Sequence, residues 1–186
     1  MDFSTHFYKY LNEFNKGMNG FDVKTLSKLA DTLLETIKSK NRIYVCGNGG
    51  SAANASHIVN DLSFVWGKDN ERRFDITCLS DNISSILAIA NDVHYDAIFV
   101  DQLIGIMKPK DVVVGLSGTG NSKNVVRALA YANANSGISV AVTAYDGGIM
   151  KEVAQISVHY PLMDMQKAED SQILFFHCLM QYFRDE

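Results

Sequence analysis

The feature that most constrains the fold is a change of rhythm near residue 42, where short β-branched apolar runs begin to alternate with helical stretches. The apolar runs predict five strands, at 42–46, 75–79, 111–116, 139–143 and 156–159. Helical spacing of apolar residues predicts helices at about 51–62, 84–90, 95–107, 122–133, 147–153 and 166–183. Strands that alternate with helices imply right-handed crossovers, so we expect an α/β fold with a five-stranded parallel sheet between two layers of helices.

Two amphipathic helices are predicted before the first strand. Apolar residues recur at helical spacing from Phe3 to Phe14 and again from Val23 to Ile37. No repeat or linker divides the 186 residues, so we expect a single domain, 1–186, with N-terminal oligomerisation helices at 1–40 and a core at 41–186. The aromatic residues near the start of the chain are suited to packing against a second subunit as much as against the chain's own core.

Composition narrows the class of partner and the compartment. The 17 Lys and Arg residues against 21 Asp and Glu give a net charge of -4, which argues against nucleic acid as a partner. The first residues lack the basic and apolar regions of a secretory signal, and no apolar run approaches the roughly 20 residues that span a bilayer. We therefore expect a cytoplasmic protein that does not enter a membrane. Three well-separated cysteines in apolar surroundings predict buried thiols rather than a disulfide framework.

Two glycine-rich and hydroxyl-rich loops follow predicted strands and lead into predicted helices. They are 46–51 (CGNGGS) and 115–122 (GLSGTGNS). Backbone N–H groups, hydroxyls and helix N-termini together suit a phosphate, although Ser51 and Ser122 could instead be simple helix N-caps. Neither loop is a Walker A motif, and GNGGSA lacks the glycine order of a dinucleotide fold. A phosphorylated small molecule is therefore the expected ligand.

Four stretches resemble a known family. CGNGGSAANASHIVNDL is similar to the first loop and helix of phosphoheptose isomerases, members of the SIS (sugar isomerase) family, and of the related DnaA initiator-associating protein. IANDVHYDAIF resembles their Asn-Asp segment, GLSGTGNSKNVVRAL their phosphate loop and, more loosely, EDSQILFFHCLMQYF their closing helix. The resemblance covers about residues 40–183 and implies a single SIS domain, a homotetramer and isomerisation of a ketose phosphate, sedoheptulose 7-phosphate, to an aldose phosphate.

The resemblance also implies a metal and catalytic site. His57 and Asp61 are four residues apart, so both lie on one face of the predicted helix. In the family the matching positions are a His and a Glu that help to hold zinc, and the carboxylate is also the catalytic base. His177 matches a second histidine, a metal ligand and acid/base group, and Glu169 falls where the family has a Gln that contacts metal and substrate. The implied zinc ligands are His57, Asp61, Glu169 and His177, and the implied catalytic pair is Asp61 with His177.

Alternatives remain open for these residues. His177 lies in an apolar stretch where a histidine is often part of the core, and His57 with Asp61 could form an ordinary surface pair. Glu169 and His177 are eight residues apart, about 12 Å along a straight helix, so co-ligation of one ion needs a bent helix or a site shared between subunits.

The phosphosugar is expected to be bound by the two loops and by the Asn-Asp segment. The implied substrate-binding residues, besides Glu169, are Asn48, Gly49, Gly50, Ser51, Asn91, Asp92, Ser117, Gly118, Thr119 and Ser122. Asn91 and Asp92 could alternatively form only a helix cap and turn.

Some positions depart from the family pattern. Asp61 is one methylene shorter than the usual Glu, Glu169 replaces Gln, Val65 stands where an arginine is common, and Gln166 stands where an aspartate or threonine is typical. Two function classes therefore remain: a sugar-phosphate isomerase, and a non-catalytic regulatory protein of the initiator-associating type that binds a phosphosugar.

Overall fold

The structure, a computed structural model, describes residues 2–64 and 74–185. Within these residues there are five strands: β1 (Arg42–Gly47), β2 (Asp75–Cys78), β3 (Val112–Ser117), β4 (Ile138–Thr143) and β5 (Ile156–His159). Eight α-helices accompany them: α1 (Phe3–Met18), α2 (Val23–Lys38), α3 (Gly49–Ser63), α4 (Ile83–Asp92), α5 (Val100–Leu103), α6 (Lys123–Ala134), α7 (Gly148–Val153) and α8 (Met165–Asp185). All five predicted strands are confirmed, with ends that differ by at most one residue.

The strands form one parallel sheet in the order β2-β1-β3-β4-β5. The chain moves outward from β1 to β2 and then crosses back to β3 on the other side of β1. In such sheets ligands bind outside the carboxyl ends of the strands where the direction of winding reverses. Gly47 pairs with Leu116, so β1 and β3 end side by side at this point.

Two apolar cores cover the two faces of the sheet, as the alternation of strands and helices predicts. One core includes side chains of α2, α3 and α8, and the other includes side chains of α6 and the segment between α4 and β3. Every residue of β3 is buried, which is typical of a central parallel strand covered on both faces.

The prediction of one helix over 95–107 is wrong. The chain forms a short 3₁₀ helix, Tyr95–Ala97, and then the four-residue α5. Ala97, Ile98, Phe99 and Val100 are all buried, with at most 7% exposed. A helix that covers a sheet buries one stripe of side chains, and its apolar residues recur with the helical period. These four consecutive residues are all buried instead. Their conformation is therefore determined by packing on every side and not by an amphipathic pattern.

Helix α1 contributes little to either core. It contains no buried residue, and Phe3, Phe7 and Leu11 are exposed, while Phe14 packs partly against the core. The prediction of buried thiols is confirmed for Cys46 and Cys78 and wrong for Cys178, which lies on the outward face of α8. Among the described residues no helix is both long enough and apolar enough to cross a bilayer.

Candidate functional site

The two glycine-rich loops face each other across a cleft at the carboxyl ends of β1 and β3. The cleft has a volume of about 300 Å³. Its lining comprises Asn48, Gly49, Gly50, Ser51, Leu116, Ser117, Gly118, Thr119, Ser122, Met165 and Glu169. Nine of the predicted substrate-binding residues therefore lie together here.

The cleft is rich in hydrogen-bond donors because two helices begin at it. Asn48 and Ser122 occupy the N-cap positions of α3 and α6, but neither side chain caps its helix. The Ser122 hydroxyl instead lies 3.1 Å from the Ser117 hydroxyl. Ser51 lies inside α3, so the alternative that it is an N-cap is wrong. The Val125 N–H group of α6 donates to Asn124 Oδ1 at 2.9 Å. The other N–H groups at the starts of the two helices, the helix dipoles and the hydroxyls favour an anion in this cleft.

A pair of asparagines fixes the distance between the two loops. The Asn48 amide donates to Asn124 Oδ1 at 2.9 Å, and the Asn124 amide donates back to Asn48 Oδ1 at 2.9 Å. The Tyr95 hydroxyl also donates to Asn48 Oδ1, at 3.1 Å. Asn124 is buried, with 2% exposed. Sequence reasoning missed it, although a polar residue in the first turn of α6 next to the loop was a usable signal.

The start of α8 closes one side of the cleft. A Cβ atom on Gly50 would lie 2.2 Å from Glu169 Oε1, and a Cβ on Gly118 would lie 2.5 Å from Met165 Sδ. Real Cβ atoms essentially never come this close to another atom, so glycine at these two positions allows α8 to approach both loops. The Glu169 carboxylate is thereby held among the donors of the cleft.

Polar contacts continue along the interface between α3 and α8. The Asn54 amide donates to the Glu169 carbonyl and to Gln172 Oε1, both at 2.9 Å. The Gln172 amide donates to Ser51 Oγ at 3.1 Å, and Gln172 is fully buried. These bonds fix the relative position of the two helices on which the predicted metal ligands lie.

His57, Asp61 and His177 form a cluster farther along the same two helices. The Nε2 atoms of the two histidines are 2.9 Å apart, and Asp61 Oδ2 lies 3.3 Å from each of them. The side chains of His57 and His177 are 48% and 44% exposed, so the alternative of a core histidine at position 177 is wrong.

The cluster fits a divalent cation such as zinc. Two imidazole nitrogens and a carboxylate oxygen are a common ligand set for zinc, and ligands at 2.0–2.1 Å from a tetrahedral ion lie about 3.3–3.4 Å apart. The separations of the three donor atoms are close to this value. Two imidazole nitrogens at 2.9 Å also require a proton or a cation between them, because their lone pairs otherwise repel.

Not every predicted ligand joins the cluster. The group of potential metal ligands within the described residues contains His57, Asp61 and His177, whereas Glu169 lines the cleft. Asn91 and Asp92 are exposed at the end of α4, where the Asn91 amide donates to Asp92 Oδ1 at 2.7 Å, and they do not line the cleft. Gln166 is exposed, and Val65 lies outside the described residues.

The first turn of α8 is fixed to α1 by charged groups. The buried Lys167 ammonium lies 2.7 Å from Asp164 Oδ2 and 3.1 Å from Glu13 Oε2. The Tyr10 hydroxyl donates to Asp170, and Lys167 Nζ lies 4.5 Å from the centre of the Tyr10 ring. Hydrogen bonding to Asp164 raises the pKa of Lys167, and the same bond lowers the pKa of Asp164. These contacts hold the helix that carries Glu169.

Comparisons with known proteins agree with this geometry. The sequence pattern of the SIS domain matches residues 6–144. The chain is 35% identical over 161 residues to the phosphoheptose isomerase of Aliarcobacter butzleri, covering 87% of this chain and 85% of the relative. It is 31% identical over 173 residues to that of Helicobacter pylori, covering 93% and 89%. The structure of the phosphoheptose isomerase of Neisseria gonorrhoeae superposes with a TM-score of 0.87 at 25% identity, over 97% of this chain and 95% of that one.

Proposed function

Because this chain belongs to the SIS domain family and resembles phosphoheptose isomerases over most of its length, we propose that it is a sugar-phosphate isomerase. The proposed reaction interconverts a ketose phosphate and an aldose phosphate, with sedoheptulose 7-phosphate as the ketose. The observation that carries the proposal is the position of a donor-lined cleft and a His/Asp/His cluster along the same two helices, α3 and α8.

The phosphoryl group is proposed to bind in the cleft. Ser117, Thr119 and Ser122 offer hydroxyls there, and the first turns of α3 and α6 offer N–H groups. Ser51 and His57 are six residues apart on α3, which corresponds to about 9 Å along the helix axis. A sugar bound by its phosphate can therefore extend along α3 with its carbonyl end toward the cluster.

The chemistry is a proton transfer between adjacent carbons. A base removes a proton from the carbon next to the ketose carbonyl, its electron pair forms the carbon–carbon double bond of an enediol, and an acid protonates the carbonyl oxygen. Return of a proton to the former carbonyl carbon, with loss of the hydroxyl proton on the neighbouring carbon, gives the aldose. Asp61 is the proposed base and His177 the proposed acid. Oδ2 of Asp61 faces both imidazoles, whereas Oδ1 has, among the described residues, only a long contact with the Asn60 amide, at 3.5 Å, and is the oxygen proposed to accept the proton.

His57, Asp61 and His177 are also the proposed ligands of zinc. Zinc bound there would supply Lewis-acid polarisation of the substrate oxygen. Glu169 is proposed to contact the sugar from the cleft, where its carboxylate can accept hydrogen bonds from hydroxyl groups. Asn91 and Asp92 are exposed in the single chain, so a role for them requires a neighbouring subunit.

Assembly and compartment complete the proposal. The exposed apolar residues of α1 support a homotetramer, since that helix has no buried residue in the single chain. The described cysteines are all free, which supports the reducing cytoplasm as the compartment.

Substitution of Asp61 tests the function. Asp61→Asn removes the proton acceptor while keeping the size of the side chain, so turnover of sedoheptulose 7-phosphate should fall about a hundredfold or more. Asp61→Glu should also lower turnover, because its carboxylate is displaced by one methylene. Asp31→Asn, which removes a carboxylate outside the cleft and the cluster, is the matched control and should leave turnover unchanged. Metal content after purification gives a second readout.

Two outcomes would contradict the proposal. Full turnover by Asp61→Asn would exclude this carboxylate as the base. A wild-type protein that is inert, but gains isomerase activity with Asp61→Glu, would instead be a phosphosugar-binding protein of the non-catalytic class.

A further inference from the structure

A second polar cavity lies at the amino ends of the strands, opposite the carboxyl ends where the cleft lies. It has a volume of about 100 Å³ and is more enclosed than the cleft. Its lining comprises Lys40, Asn41, Arg42, Tyr44, Asp75, Ile106, Lys108 and Asp111. Arg42 begins β1 and Gly47 ends it, so the cavity and the cleft are separated by the length of that strand, about 17 Å. We call it the basal cavity.

A buried hydroxyl whose proton has no acceptor among the described residues lies at the basal cavity. Tyr44 is 1% exposed, and no group of the described residues accepts a hydrogen bond from its hydroxyl. Burial raises the pKa of Tyr44, and hydrogen bonding from the Arg42 guanidinium partly offsets this effect. A guanidinium can only donate, so this contact does not use the hydroxyl proton. A buried donor that lacks an acceptor is costly and rare in folded proteins, and this one is available to a ligand.

The carboxylates at the basal cavity have hydrogen-bond or ion-pair partners, whereas its lysine ammonium groups have no carboxylate partner within the described residues. Asp111 accepts hydrogen bonds from the Arg42 and Lys108 backbone N–H groups at 2.9 and 2.8 Å and from the Asn41 amide at 3.2 Å. Asp75 pairs with Arg42 Nε at 3.0 Å.

The lysine ammonium groups have no such partners. In the part of the chain that the structure describes, neither the Lys40 nor the Lys108 ammonium forms an ion pair. With Arg42 these lysines place three positive charges against the two carboxylates of Asp75 and Asp111, in a chain whose overall charge is negative.

We propose that the basal cavity is a binding site for a small oxyanion, either inorganic phosphate or the phosphoryl end of a metabolite. The volume equals about three water molecules, which is enough for one tetrahedral oxyanion. Lys40, Lys108 and the Arg42 guanidinium supply charge-assisted hydrogen bonds, and the Tyr44 hydroxyl supplies the buried donor. This site is separate from the proposed substrate cleft, and its occupation does not depend on catalysis.

Calorimetric titration with inorganic phosphate tests the basal cavity in a protein whose cleft has been disabled. The background is the full chain with Thr119→Ala and Ser122→Ala, in which one phosphate per chain should remain bound. In that background Lys108→Met and Tyr44→Phe should each weaken binding about tenfold, because each removes a hydrogen bond to an anion. Lys110→Met removes the same charge from the same loop but does not line the basal cavity, so it should change the affinity less than twofold.

Repeating the titration with ribose 5-phosphate distinguishes the two sources of the oxyanion. Tighter binding of the ester than of free phosphate assigns the site to the phosphoryl end of a metabolite, and equal or weaker binding assigns it to inorganic phosphate. The proposal is overturned if the cleft-disabled protein binds no phosphate, or if its affinity is the same with Tyr44 and Lys108 intact or substituted. It is also overturned if Lys110→Met weakens binding as much as Lys108→Met. None of these results bears on the isomerase, because the cleft is disabled throughout.

Discussion

Gly50→Ala should lower activity without unfolding the protein, because of a single contact between the first loop and α8. The new Cβ would lie 2.2 Å from Glu169 Oε1 and 2.3 Å from both Cδ and Oε2. Ordinary contact begins at 3.4 Å, so the carboxylate must move by about 1.2 Å. A misplacement of about 1 Å can cost a hundredfold in rate when the displaced group positions the substrate.

The cost to stability should be small. Glu169 can move its flexible side chain, and a strained rotamer costs about 0.5–1.5 kcal/mol. Alanine in place of glycine in a helix stabilises the folded state by about 0.5–1 kcal/mol. These two effects nearly cancel, so the free energy of unfolding should change by about 1 kcal/mol or less. The melting temperature should therefore stay within about 4 °C of the wild-type value.

The assay combines turnover of sedoheptulose 7-phosphate with thermal unfolding in a double-mutant cycle. Gly50→Ala and Glu169→Ala should each lower kcat/KM by about the same factor, and the double variant should be no worse than Glu169→Ala alone, because both act on one carboxylate. Gly20→Ala is the matched control, since a Cβ on Gly20 meets nothing within 4 Å. Full activity of Gly50→Ala, or losses that multiply in the double variant, would refute the reasoning.

The remaining predictions concern the cleft, the start of α8 and the assembly. Thr119→Ala with Ser122→Ala removes two donors to a charged ligand, so calorimetry should show a dissociation constant for a heptose phosphate that is higher by orders of magnitude; an unchanged value would contradict the assignment of the phosphate loop. Lys167→Met should lower the melting temperature by a few degrees at neutral pH, and the difference should vanish once the pH falls below the lowered folded-state pKa values of its two partners, Asp164 and Glu13. This sign follows because a carboxyl group whose pKa is lowered by folding loses its stabilising contribution as the pH falls through that pKa. Light scattering at micromolar concentration should give the mass of a tetramer, and a monomer would contradict the role of α1.

Much of the architecture could be predicted because strands and helices carry different apolar periods. The β-branched runs gave the five strands, and the alternation with helices gave the parallel sheet. The interrupted helix between Tyr95 and Leu103 could not be predicted in the same way. Its residues are apolar at successive positions, so their conformation depends on packing against α4 and α6. Packing between distant elements cannot be predicted from a local sequence pattern.

The site was predictable where it depends on residues of one helix or on the carboxyl ends of parallel strands. His57 and Asp61 meet because a helix brings residues four apart to the same face, and the two loops line one cleft because β1 and β3 are adjacent. Asn124 and Gln172 were not found, because buried amides are recognisable only once the groups that they connect have been placed. Their bonds fix the two loops to each other and to α8.

Glu169 shows most clearly what sequence spacing leaves undetermined. Its separation of eight residues from His177 on a continuous helix implies about 12 Å along the axis, and the structure places the two groups in different places, one in the cleft and one in the cluster. The reason lies in the opposite loop, where the absence of a side chain on Gly50 leaves room for the Glu169 carboxylate. If the cleft binds a phosphate, as proposed, a carboxylate among its donors would repel that phosphate unless the carboxylate faces the sugar hydroxyls instead. We therefore propose that Glu169 orients the sugar, and a substitution that moves its carboxylate by about 1.2 Å tests that role directly.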